Sequence, residues 1–168
     1  MVFKFSEKKE ILFECEDFCI KEASWNETRK LHGIFRETLS FTNPWKESPG
    51  KNLTLVVLDN EKRVIGGVEV ALAADSTSEL RSFAVLPELC GKGIGTKLLG
   101  VMHDELRKKG VIRVLVQPVK DISQSEDGSW GILTKAGYDY SPTTKHWFVI
   151  ARKDPTQYHE GYKLVKEL

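Results

Sequence analysis

Three glycines at alternate positions, Gly91, Gly93 and Gly95, separate an alternating apolar segment from an amphipathic run. No other feature constrains the fold of this chain as much. The segment reads Val85-Leu86-Pro87-Glu88-Leu89-Cys90-Gly91-Lys92-Gly93-Ile94-Gly95-Thr96-Lys97-Leu98. Proline ends the preceding strand. Glycines lack Cβ atoms, so the backbone can take positive φ and a ligand can come close. Ile94, Leu98, Leu99, Met102 and Leu106 then fall on one helical face. Successive N–H groups at the start of such a helix, with its positive end, favour an anion such as a phosphate. Lys92 and Lys97 add positive charge.

Two common phosphate loops are excluded by spacing. A P-loop needs Lys and Ser or Thr directly after its last glycine, but Val101 follows Gly100. A dinucleotide fingerprint needs a third glycine three residues after the second. Counting from Gly91 that place holds Thr96, and from Gly93 it holds Leu98.

The rest of the chain supplies a sheet around this unit. Val2, Phe3, Phe5, Ile11 and Phe13 suggest short edge strands, and Phe18 to Ala23 a firmer one. Ser24 and Glu27 have the spacing of a capping box. Leu31, Ile34, Phe35 and Leu39 then predict a helix that stops before Asn43-Pro44. Phe41 and Trp45, in the loop that follows, either cover a pocket or pack the loop down. Leu53–Leu58, Arg63–Ala74 and Glu79–Val85 predict three antiparallel strands in a row. Arg107, Lys108 and Lys109 suit the negative end of the long helix and Gly110 caps it. Val111–Val116 reads as a buried strand, and residues 129–135 as a short helix closed by Gly137. Tyr138–Tyr140 and His146–Arg152 suggest a final strand pair, with 154–168 a tail or short helix. The expected fold is a mixed α/β (α+β) sheet flanked by helices. Residues 1–168 form one domain, and 1–17 are a possible edge-strand extension.

Composition narrows the function. The 168 residues carry 25 Lys+Arg against 24 Asp+Glu, a net charge of +1. That balance gives no footprint for nucleic acid, so no such partner is expected. No apolar stretch reaches the ~20 residues that span a bilayer, so no membrane partner is expected either. Cys15, Cys19 and Cys90 are too few for a disulfide framework and read as reduced thiols. A cytoplasmic protein is expected, with the nucleus not excluded. His32, His103, His146 and His159 are scattered without metal-ligand spacing.

On these residues the chain resembles the GNAT superfamily of acyl-CoA-dependent N-acyltransferases. That family's loop reads [QR]-x-x-G-x-[GA], after a strand ending in Ala-Val and a proline. Ala84-Val85-Leu86-Pro87 and Cys90-Gly91-Lys92-Gly93-Ile94-Gly95 supply the counterpart, and Lys135-Ala136-Gly137-Tyr138 is similar to the family's later helix end. The resemblance covers Phe18 to Arg152. It implies a mostly antiparallel sheet of six to seven strands with about four helices, splayed at the acyl-CoA site. It implies that acetyl-CoA is the cosubstrate. The CoA diphosphate would lie on the amides of Gly91, Lys92, Gly93, Ile94, Gly95 and Thr96, and the pantetheine arm beside Ala84 and Val85. A bulge there would splay this strand from Val111–Val116. Cys90 stands at the [QR] position, where a long polar brace is missing.

N-acyl transfer needs an unprotonated amine, and an amine of lysine type has a pKa of ~10.4. A base must take its proton. Glu79 is the candidate, because some family members look similar with a glutamate at a matching place on this strand. By alternation Glu79, Arg81, Phe83 and Val85 share one face. Glu69 on the neighbouring strand is the reserve. The family often places a tyrosine acid where this chain has Leu133; Tyr138, Tyr140 and His146 are the candidates to replace it. Residues 121–127, Glu47 and Asp75 either steer a cationic amine or solvate exposed loops. The acceptor is a small-molecule or protein amine, and the chain a monomer or homodimer. The alternative function is a catalytically weak CoA-binding module that acts as a sensor or interaction subunit; Cys90 and Leu133 favour it.

Overall fold

Helix α1 (Trp25–Thr38) begins where the capping box places it. The Ser24 N–H donates to Glu27 Oε2 at 2.8 Å, and the Glu27 N–H reaches back to Ser24 Oγ at 3.4 Å. Two donors that the helix start leaves over are thereby satisfied. In this computed structural model residues 10–38, 52–73, 76–116, 132–133, 135–149 and 158–168 are described, those at 139–149 and 158–167 as backbone. Phe41, Trp45, Glu47, Asp75 and 121–127 lie outside them.

The strands are β1 (Ile11–Glu14), β2 (Phe18–Glu22), β3 (Asn52–Asp59), β4 (Val64–Leu72), β5 (Thr77–Val85), β6 (Arg113–Val116), β7 (Asp139–Val149) and β8 (Tyr158–Glu167). They form one sheet in the order β1-β2-β3-β4-β5-β6-β8-β7. Every neighbouring pair is antiparallel except β5 and β6. Parallel neighbours need a crossover. Here it is a 3₁₀ turn at Pro87–Leu89, the glycine loop and helix α2 (Ile94–Lys108).

The mostly antiparallel sheet is as expected, and among the described residues it has eight strands where six to seven were expected. Tyr158–Glu167 is a strand rather than a tail or short helix. It pairs with β6 on one side and β7 on the other. Residues 139–149 are one strand, not the first half of a pair broken before His146. The register of β7 on β8 shifts between Ser141 and Lys145, around Pro142. A proline is tolerated there because β7 is the edge strand. Of about four helices expected, α1 and α2 are the two full α-helices among the described residues, besides a 3₁₀ turn at 87–89 and helical backbone at 132–133 and 135.

The central strands β3 to β5 are covered on both faces. Ile94, Leu98, Leu99, Met102 and Leu106 of α2 pack on Leu55, Val57, Val68, Val70 and Leu80. Leu31, Ile34 and Phe35 of α1 pack on Cys19, Val56, Leu58 and Ala84. This explains the unbroken apolar run Leu55–Leu58, whose alternate side chains enter different cores. Helix α1 comes very close at Gly67. A Cβ there would lie 2.5 Å from the Leu55 carbonyl oxygen and 2.6 Å from Leu31 Cδ2.

One irregularity in β5 decides what faces what. Val70 pairs with Leu80 and Glu69 with Ser82, so Arg81 is an extra residue in β5, a bulge. Before it, Leu80 faces the α2 core, which places Glu79 on the α1 side. After it, Ala84 faces the α1 core, while Phe83 and Val85 pack towards α2. The expectation that Glu79, Arg81, Phe83 and Val85 share one face is therefore corrected. An inserted residue reverses the phase of alternation, and no periodicity in the sequence announces it.

Candidate active site

The glycine loop owes its shape to two left-handed residues. Gly91 and Gly93 have φ of +80° and +77°, where an L side chain is strained. No heavy atom lies within 4 Å of where a Cβ would stand at either position. Space does not demand glycine here; backbone conformation does.

Gly93 is the N-cap of α2 and offers no side chain to cap it. The first helical hydrogen bond runs from the Lys97 N–H to the Gly93 carbonyl at 3.1 Å, and the Cys90 N–H is spent on Pro87 O. Among the described residues no acceptor takes the N–H groups of Gly91 to Thr96. They are open donors at the positive end of a fifteen-residue helix. Lys92 is exposed beside them. Lys97 is exposed as well, but its ammonium sits over the Phe13 ring, 4.4 Å from the centroid, on the β1 side. The Cys90 thiol points at the carbonyls of Leu86 and Val85, 3.7 and 4.0 Å away. Gly95 packs instead against Phe83 and Ile132.

The strand before the loop loses its partner on one side. Strand β5 pairs with β6 only from Thr77↔Arg113 to Leu80↔Val116. Ser82–Val85 continue along β4, and among the described residues nothing pairs with these four on the β6 side. Ala84 and Val85 lie in this stretch. The family resemblance implies a bulge near them; it sits at Arg81, next to the last β5–β6 pair among the described residues.

Glu79 lies within the paired part, between Ala71 and Leu115. Its side chain is 43% exposed, with Arg81 Nε 3.9 Å from Oε2. Glu69 is nearly buried. Its Oε2 is 2.9 Å from His32 Nε2 and its Oε1 takes an N–H from Asn52 at 3.4 Å. Neither His32 nor Ser82, which faces Glu69 across β4–β5, was singled out in the sequence. His32 follows the buried Leu31 on α1, and nothing local links it to a strand residue 37 positions on.

The tyrosine substitutes fare differently. Tyr138 is buried, its hydroxyl 2.8 Å from His103 Nε2, and burial pushes its phenol well above the ordinary value. It braces α2 rather than facing the loop. Leu133 is likewise part of the α2 core. The side chains of Tyr140 and His146 lie outside the described residues.

The acetyltransferase (GNAT) family matches residues 16–138, well over half of the chain. The chain belongs to this family. Solved GNAT structures share its fold. The ribosomal-protein-S18-alanine N-acetyltransferase from Escherichia coli superposes with a TM-score of 0.68 at 16% identity, covering 89% of this chain and 93% of that one. The PaiA N-acetyltransferase from Thermoplasma acidophilum, solved in complex with coenzyme A, gives 0.67 at 17%, covering 90% and 99%. An IAA acetyltransferase from Bacillus cereus gives 0.64 at 21%, covering 90% and 99%. No curated protein sequence matches. Membership in the GNAT family fits the described geometry: a parallel crossover led by a donor-lined glycine turn, beside a strand freed of its neighbour. No helix among the described residues is long and apolar enough to cross a membrane.

Proposed function

We propose that this GNAT protein is an N-acetyltransferase that moves an acetyl group from acetyl-CoA to a primary amine, small-molecule or protein, by direct attack in a ternary complex. The observation that carries this reading is the row of unclaimed N–H groups from Gly91 to Thr96 at the N-terminus of α2. In this reading those amides hold the diphosphate, with Lys92 adding charge and Cys90 at the loop's entry. The freed edge of β5 at Ala84 and Val85 offers backbone groups to the pantetheine arm. Acetyl-CoA supplies an acyl carbon and a thiolate leaving group.

Glu79 is the proposed base. Its exposed carboxylate can accept the ammonium proton directly or through a water. The freed nitrogen forms the new C–N bond as the C–S bond breaks. A thiol has a pKa of ~8.5, so the thiolate can depart without a dedicated acid. This accommodates Leu133, which the core has taken.

That same Leu133 favours a second reading, a CoA-binding module with little or no turnover. Thiol release over a panel of primary amines separates the two. Turnover with any amine establishes the enzyme, and CoA binding without turnover establishes the module. Failure to bind CoA at all would defeat both.

A further inference from the structure

The α1 side of β4 and β5 carries polar groups with no part in the reaction as drawn so far. Glu69 is a carboxylate only 8% exposed, and His32 beside it is 39% exposed. Burying an ionised carboxylate is costly unless donors replace water. A carboxylate has about four acceptor sites. Asn52 meets one of its oxygens at the 3.4 Å limit of a hydrogen bond, and His32 the other at 2.9 Å. Ser82 faces Glu69 directly in the antiparallel register, so their side chains are neighbours on one face. Ser82 is 3% exposed, and its Oγ has no hydrogen-bond partner among the described residues.

We infer that Glu69 and Ser82 form the seat of the acceptor's primary ammonium group, with His32 as its outer wall; this rests on the N-acetyltransferase reading above. An ammonium carries positive charge and three N–H donors. The carboxylate answers the charge, and the carboxylate and the Ser82 hydroxyl accept hydrogen bonds. An alcohol or thiol brings one donor and no charge, so it leaves the seat unsatisfied. The position suits the reaction. Ser82 directly follows the Arg81 bulge, two residues beyond Leu80↔Val116, the last β5–β6 pair among the described residues. Glu79 pairs with Ala71, two residues along β4 from Glu69, so the proposed base looks out on the same face. The bulge brings the two carboxylates to one side while Phe83 and Val85 turn to the other. Glu69 and Ser82 are thus specificity-determining residues, distinct from the base.

The test uses the full chain with labelled histidine, titrated with n-butylammonium and, separately, with n-butyltrimethylammonium, which has the charge but no N–H. The His32 ring resonances are expected to shift saturably with the first and far more weakly with the second. Glu69→Gln should weaken n-butylammonium binding about tenfold or more. Ser82→Ala should weaken it as well, while the thermal shift caused by CoA stays unchanged in both. No saturable shift in the wild type, equal binding of the two ions, or undiminished affinity in Glu69→Gln overturns the seat. Should Glu69→Gln not fold, Ser82→Ala decides, because it deletes only an oxygen without a described partner; undiminished affinity there also overturns it. Saturable binding here with no turnover across the whole amine panel defeats the transferase reading and leaves the seat standing. Acylation without any His32 response does the reverse.

Discussion

A valine at Gly93 would meet two obstacles of different kinds. The residue sits at φ +77°, and a β-branched side chain there costs about 1–3 kcal/mol of strain. Relief of that strain would turn the amides of the turn away from a common centre. Gly93→Val is therefore expected to lose CoA binding in a thermal-shift titration; retained affinity would remove the loop from the site. Glu79→Gln should behave in the opposite manner. Its kcat should fall by about a hundredfold or more, with CoA binding intact. A kcat within a few-fold of wild type would exclude Glu79 as the base. The glycines were legible in the sequence because left-handed backbone is written in residue type. The facing of Glu79 was not. It depends on Arg81 being extra relative to β4, and register is a property of two strands.

At the scale of elements, α1 was readable from its first turn. Ser24 and Glu27 satisfy each other's backbone, so Ser24→Ala should cost about 1 kcal/mol in denaturant unfolding. Burial alone would raise the Glu27 pKa, but the Ser24 N–H, the Lys21 ammonium and the Ser24 hydroxyl outweigh it and hold it below the usual 4.5. Because the folded value is the lower one, this stabilisation is complete above the unfolded pKa and fades as pH falls through the folded one. Unfolding midpoints measured from neutral to acid pH should therefore drop less steeply in Glu27→Gln than in the wild type. An unchanged slope would show that Glu27 contributes nothing to acid sensitivity. Strand β8 was not readable in the same way. Tyr158–Glu167 has weak periodicity, and its identity comes from the partners on either side, β6 and β7.

For the whole molecule, ligand and fold are linked by mass action. A diphosphate held only in the folded state should stabilise the protein by about 2.7 kcal/mol when CoA is at 100 times its Kd. The Gly93→Val protein should show no such gain. Tyr138→Phe makes the complementary case. It removes the 2.8 Å bond to buried His103 and should cost about 1–3 kcal/mol, with kcat unchanged. A loss of kcat without loss of stability would move Tyr138 from the core to the chemistry. The two cores on either side of the sheet also explain why the fold class was accessible before the site. Apolar patterning fixes which residues are inside. It says nothing of which buried polar atoms find partners, and Glu69, His32 and Ser82 meet only once three separate elements have docked.

The bulge at Arg81 works as a half-step in the weave of β5. Upstream of it the odd-numbered side chains turn towards α1, and downstream they turn towards α2, so a single residue changes which side chains meet which helix. Excision of Arg81 alone would restore an even weave and swap the roles of every side chain on one side of the cut. Phe83 and Val85 would then turn towards α1, and Ser82 and Ala84 towards α2. A one-residue deletion should thus be far more damaging here than any substitution at the same place.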